Sequence, residues 1–308
     1  MIDRPLVARA AAALVAVGAL AASTGCATFS GNDAAAMVGG AEISRDDFEA
    51  TLQALAAAPE QTSITEDFAT NSVAGDVGRN VLSALVTGAA SRRFLEDAGE
   101  AVTDADRQPL LESIPEDDPL RAMPDDVFDL IVDLQAAGAA RGRVGAAGAQ
   151  ARYEESPADL GVMCVRHIVV ETEGEALAVL DELEAGADFA ELAAQRSIEP
   201  AAAQTGGALA DPQTGQPCLP LATASQSLDP AFVAGAIDAR PGEPTAPVQS
   251  PFGFHIILAR PFDEVADVVA TAAGSRLFAE YLATADITID PRYGRWDGEA
   301  TAVVALAS

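Results

Sequence analysis

Two short apolar runs, Val165-Arg166-His167-Ile168-Val169-Val170 and Phe254-His255-Ile256-Ile257-Leu258-Ala259, constrain the fold more than any other feature of this chain. Runs this short and this rich in β-branched residues read as buried strands. Between them, Thr172 and Glu175 form a capping-box pattern ahead of a helix bearing Leu177, Leu180 and Leu183. Gly186 ends that helix, and Asp188 opens a second one with Phe189 and Leu192. Ser197 to Pro220 reads as a loop holding Gly206-Gly207. Asp229-Pro230 is an N-cap followed by a first-turn proline, and Pro241-Gly242 stops the helix it begins. A strand from Thr245 to Ser250 then turns through Pro251-Phe252-Gly253 into the closing strand. The order β-α-α-loop-α-β-β is an α+β layer arrangement in about 100 residues.

The flanks have a different texture. Residues 27–36 are small and read as a tether, and Met37 to Ile43 as a short strand with a turn. Ser44, three residues before Asp47, heads a helix carrying Phe48, Leu52 and Leu55. A second helix runs through Val81, Leu82, Leu85 and Phe94 to Gly99, Thr103 begins another segment, and Ile114 to Pro124 is an acidic, proline-rich loop. Val127 to Gln150 follows a helical pattern, weakened by glycines at 138, 142, 145 and 148. These glycines follow a helix rather than a strand and have no lysine or acidic partner, which excludes a nucleotide loop. After the central block come a helix from Ala266 to Leu282 and a strand-like Ile287-Thr288-Ile289.

Charge narrows the function. The net charge is −29, and all 18 basic residues are arginine, so phosphate backbones are repelled and nucleic acid is excluded as a partner. At the N-terminus, Arg4 and Arg9 precede an apolar stretch, Ala10 to Ala22, too short to span a bilayer. It ends in Ser23-Thr24-Gly25-Cys26, which resembles a bacterial lipobox. Residues 1–25 are therefore expected to be a signal peptide and Cys26 a lipidated first residue, with plain secretion as the alternative. Cys164 and Cys218 then remain as an even pair in an oxidising compartment, which suggests one disulfide, or else two buried thiols. No Cys-x-x-Cys is present, so a zinc or thioredoxin reading has no support; no cofactor is expected.

Five segments, in order, resemble the parvulin family of peptidyl-prolyl cis/trans isomerases. They are Arg166 to Val170, Gly186-Ala187-Asp188-Phe189-Ala190-Glu191-Leu192-Ala193, Ser197 to Leu209 with its Gly-Gly, Asp229-Pro230-Ala231-Phe232, and Pro247 to Ile257. The chain has two histidines, and both fall on the family's paired positions. More weakly, the flanks resemble the helical chaperone region of SurA- and PrsA-like foldases, in which N- and C-terminal segments pack together around an inserted isomerase. The resemblance implies a parvulin-like antiparallel sheet with surrounding helices at 163–262, inserted in a mainly helical SurA-like chaperone domain. That domain comprises 37–150 and a C-terminal segment, 263–297, packed on it, after a tether at 26–36.

The resemblance also assigns roles. His167 and His255 would form a hydrogen-bonded pair with Ser250 beside them, Glu199 would face the amide, and Leu209, Phe232 and Phe252 would bind the substrate. Two departures stand out: Glu199 occupies a position that is cysteine or aspartate in active relatives, and Ala208 and Ala210 replace the aspartate and glycine of Gly-Gly-Asp-Leu-Gly. The expected function is isomerisation of X-Pro bonds in unfolded or partly folded exported polypeptides, outside the cytoplasm, by a protein held at the membrane through lipid. A chaperone that binds peptides without catalysis is the alternative.

Overall fold

The computed structural model describes residues 33–56, 66–67, 72–73, 75–212 and 214–306. The leader at 1–25, Cys26 and most of the tether lie outside them. The chain enters as β1 (Ala34–Val38), turns at Gly39-Gly40, and returns as β2 (Ala41–Ser44). The tether therefore ends earlier than expected. Ala34, Ala35 and Ala36 are buried because β1 is the middle strand of a three-stranded sheet. A run of alanines shows no polar–apolar alternation, so this strand looked like a spacer.

Ser44 caps α1 (Arg45–Ala56), its Oγ accepting from Asp47 N at 3.0 Å. Then follow α2 (Gly75–Asp97) and α3 (Asp104–Ser113), the latter headed by Thr103, whose N–H and Oγ1–H both donate to Asp106 Oδ2 at 2.8 Å. The expected helix at 127–150 is two helices, α4 (Asp125–Ala146) and α5 (Ala149–Glu155). They part at Gly148, whose φ of +81° is a left-handed conformation that glycine adopts without strain.

The central block contains β3 (Val165–Val170), α6 (Glu173–Glu184), α7 (Phe189–Arg196), α8 (Leu221–Ser227), α9 (Pro230–Asp238), β4 (Val248–Ser250) and β5 (Gly253–Ala259). Its antiparallel sheet has the order β3-β5-β4. The segment 197–220, expected to be loop, also carries a short helix, Ala202–Thr205, and a two-residue strand, Leu219–Pro220, paired with Val162–Met163. β4 is shorter than the expected 245–250, because Pro244 and Pro247 have no N–H for the ladder. Side chains alternate across the sheet. One face, Ile168, Val170 and Ile256, packs on Val179, Phe189 and Leu192 of α6 and α7. The other, Val165, Ile257 and Ala259, packs on Phe232 and Ala236 of α9.

After β5 the chain runs into α10 (Phe262–Thr284), which starts earlier than expected, directly after Pro261. Then come β6 (Ile287–Ile289), β7 (Arg295–Asp297) and β8 (Ala302–Val304). β6 lies against β1, with Ala36 opposite Ile289 and Val38 opposite Ile287. The β7–β8 hairpin carries the ordered tail past the expected end at 297, because Val303 is buried and its N–H donates to Ser83 Oγ at 2.8 Å. Two of the glycines that weakened the helix pattern, Gly142 and Gly145, face α10. A Cβ at Gly145 would lie 2.1 Å from Ala270 O, and one at Gly274 would lie 2.0 Å from Arg141 O. The two helices thus cross backbone to backbone.

The described residues form one compact unit. The central block is tied to its flanks by a buried cluster of Tyr153, Leu160, Val162, Val265 and Val269, which encloses a disulfide between Cys164 and Cys218. Tyr153 Oη also donates to Arg260 O at 2.8 Å. Among the described residues no helix is long and apolar enough to cross a membrane.

Candidate active site

The β3–β5 register builds the centre of the site. His167 lies opposite Ile257, and Val169 opposite His255, so both histidines are diagonal neighbours on the face covered by α9. Their rings lie nearly coplanar, edge to edge, with a 7° interplanar angle, and Nδ1 of one is 3.2 Å from Nδ1 of the other. Phe232 sits in the first turn of α9, where Asp229 accepts from Ala231 N and Phe232 N. Its ring meets each imidazole edge-on, with centroids 5.1 Å apart.

The polar groups form a chain. Ser250 Oγ is 2.7 Å from His255 Nε2 and accepts from Phe252 N at 3.1 Å. At the other end, Glu199 Oε2 is 2.8 Å from His167 Nε2, in a short contact that lies off the axis of a directed hydrogen bond. Because a glutamate carboxylate can only accept, one arrangement of protons suits every contact. The Ser250 hydroxyl donates to His255 Nε2, His255 Nδ1–H donates to His167 Nδ1, and His167 Nε2–H faces Glu199. Both histidines are neutral in this arrangement. Burial lowers His255 to about 4, helped by the neighbouring His167, while Asp229 opposes the shift. Burial likewise lowers His167, against the pull of Glu199.

Beside the pair opens a cavity of about 440 Å³ lined by His167, Val169, Ile198, Glu199, Leu209, Ser227, Leu228, Asp229, Phe232, Phe252 and His255. Leu209 is brought there because residues 207–209 run along β3, with His167 N donating to Gly207 O at 2.8 Å and Leu209 N to Val165 O at 3.0 Å. Gly207 must be glycine, since its φ is +76° and a Cβ would lie 2.3 Å from His167 O. Ala208 and Ala210 leave this backbone path intact.

His167, Glu199, Leu209, Phe232, Ser250, Phe252 and His255 are thus brought together, with two qualifications of place. Phe252 is 72% exposed and forms the rim rather than the floor. Ser250 is not among the lining residues and reaches the site through His255. Sequence reasoning missed Ile198, Leu228 and the second carboxylate, Asp229. Asp229 was legible as a helix cap, but which side of the cap faces a cavity depends on tertiary packing. Among the described residues no cluster of His, Cys, Asp and Glu could hold a metal ion.

Residues 169–260 match the family model described as Rotamase, PPIC-type PPIASE domain, so this part of the chain is similar to that class of domain. Among named relatives, the chain is similar to Foldase protein PrsA of Halalkalibacterium halodurans, 38% identical over 109 residues, which is 35% of this chain and 29% of that protein. Foldase protein PrsA of Clostridium botulinum is 34% identical over 108 residues, again 35% of this chain and 29% of the relative. The chain thus matches less than a third of the length of these curated relatives. Among solved structures, NmPin, the parvulin of Nitrosopumilus maritimus, is 27% identical and covers 32% of this chain and 96% of its own, with a TM-score of 0.27.

Proposed function

We propose that this protein catalyses cis/trans isomerisation of X-Pro bonds in exported polypeptides and assists their folding outside the cytoplasm. The observation that carries the proposal is an apolar cavity whose back wall is a neutral histidine pair with Phe232 across it and Glu199 at its side. Rotation about an X-Pro bond breaks no covalent bond, but it must cross a barrier of about 18–20 kcal/mol while amide resonance is lost. The planar amide places negative charge on its oxygen, and the twisted amide places less. Phe232, Leu209 and Leu228 suit a proline ring. The Glu199 carboxylate repels the oxygen of the planar form more than that of the twisted one, which favours the transition state over the ground state. The neutral pair, held by Ser250, keeps the wall rigid and free of cationic charge that would stabilise the planar carbonyl. Each tenfold of rate needs only about 1.4 kcal/mol of this preference.

A second reading, a chaperone that binds peptides without catalysis, is favoured by the Glu199–His167 contact, which turns the carboxylate toward the wall rather than the amide. Refolding of a model protein limited by a slow proline step separates the two. Acceleration of that phase by catalytic amounts of this protein supports isomerisation. Higher refolding yield with an unchanged slow phase supports the second reading.

We also propose that 37–150 and 263–297 form a chaperone module holding the isomerase at 163–262, and that the protein is attached to the membrane through lipid on Cys26. Mass spectrometry of the mature N-terminus tests the latter, and cleavage that leaves Cys26 unmodified or removes it would exclude it.

A further inference from the structure

The cavity has a charge asymmetry that its apolar lining does not require. Two of its lining residues, Glu199 and Asp229, are acidic, and none is a lysine or arginine. Across 163–262 the basic residues are Arg166, Arg196, Arg240 and Arg260. Arg166 and Arg260 both pair with Glu264, and Arg196 pairs with Glu182. Arg240 follows the C-terminal end of α9, whereas the cavity uses the N-terminal end of that helix, Asp229 and Phe232. At about 1.5 Å per residue these ends are more than 12 Å apart. Asp229 spends part of its carboxylate on the two amides it caps. Among the described residues the Glu199 carboxylate makes one close contact, with the imidazole of His167, whose charged form burial disfavours, and it is 40% exposed at the mouth. Beside it, the exposed Ile198 and Phe252 offer apolar surface to the stem of a long side chain.

Resting on the isomerase-site reading, we propose that this cavity selects X-Pro bonds preceded by a basic residue, arginine or lysine, and rejects those preceded by an acidic or phosphorylated one. The proline ring goes to the end formed by Phe232, Leu209 and Leu228. That leaves the preceding residue at the Ile198–Glu199–Phe252 rim, where its aliphatic stem lies on the two apolar side chains and its cationic head reaches Glu199. A carboxylate or phosphate there meets two acidic groups with no compensating cation, in a chain whose net charge of −29 adds to the repulsion.

The test uses the full chain and tetrapeptides Ala-X-Pro-Phe with X as Arg, Leu or Glu, following isomerisation by NMR exchange and binding by chemical-shift titration. The expected kcat/KM for Arg over Glu is about tenfold or more near 20 mM salt, falling to within about threefold near 0.5 M, with Leu between. Glu199→Gln, which keeps the shape and removes the charge, collapses the Arg-to-Glu ratio whatever it does to the overall rate. Asp229→Asn, which keeps a capping side chain, lowers the ratio less. Equal rates and equal affinities for the Arg and Glu peptides would overturn the selection, as would an unchanged ratio in Glu199→Gln. Should no peptide be isomerised while the Arg peptide binds preferentially, the isomerase reading fails and the charge selection stands.

Discussion

Phe232 touches both imidazoles through ring edges and is 5% exposed, so it serves packing and ligand contact together. Truncation to alanine would cost about 3–5 kcal/mol and threaten the fold itself. Phe232→Leu is the informative change: it keeps apolar volume but loses the flat aromatic wall. Its expected effect is about a tenfold loss of kcat/KM on any X-Pro peptide with less than about 1.5 kcal/mol of stability lost in urea denaturation. The histidine pair gives a pH prediction. Its folded pKa values lie below the ordinary 6.5, His255 at about 4. Above pH 6.5 the pair contributes no pH dependence. As pH falls from 6.5 toward 4, the unfolded chain takes up protons that the native site refuses, so stability declines, by at most about 1.4 kcal/mol per pH unit for each histidine. Urea midpoints at pH 7.5 and 5, compared between wild type and His255→Asn, should show a smaller acid loss in the variant. Equal losses would mean that His255 is protonated in the native state. Both histidines were legible in sequence because their strands were. The facing of Glu199 toward His167 was not, since it depends on how the 197–209 segment folds back over β3.

At the scale of elements, the disulfide and the glycine crossing make opposite demands on prediction from sequence. Cys164 and Cys218, 54 residues apart, were identifiable as a pair from parity and compartment, before any geometry. Closing a loop of that length stabilises by about 4 kcal/mol on the chain-entropy account. The double variant Cys164→Ala/Cys218→Ala should therefore lose several kcal/mol, read as a lower urea midpoint with an altered slope. The crossing of α4 with α10 was not identifiable, because glycine in a helix reads only as a weak helix former. Gly274→Ala decides between the two influences. Alanine's better helix propensity offers about 1 kcal/mol, but its Cβ would stand 2.0 Å from Arg141 O, and neither backbone can yield without moving a whole helix. Net destabilisation of at least about 2 kcal/mol is expected in thermal melts. A stabilised variant would mean that the helices lie farther apart.

Over the whole molecule, β1 pairs with β6 across nearly the full length of the described chain, while Phe278 and Leu282 of α10 share a cluster with Phe48, Leu82 and Val86. Truncation after Pro261 would therefore strip one edge partner from β1 and expose that cluster. The shortened chain should lose cooperative melting in the N-terminal part and bind a hydrophobic dye. The central block was the more legible part, because its strands, caps and turns are local signals set in a fixed order. The flanks were less so, since their alanine-rich faces carry little contrast and their strand pairing joins segments some 250 residues apart. The proposed lowering of the X-Pro rotation barrier in the cavity against the histidine pair is read by NMR exchange on an X-Pro tetrapeptide with the full chain. Cis/trans exchange should speed up in proportion to protein concentration, and the acceleration should fall about tenfold in Phe232→Leu. Exchange at the uncatalysed rate, with the peptide bound in the cavity and client aggregation still suppressed, would contradict it.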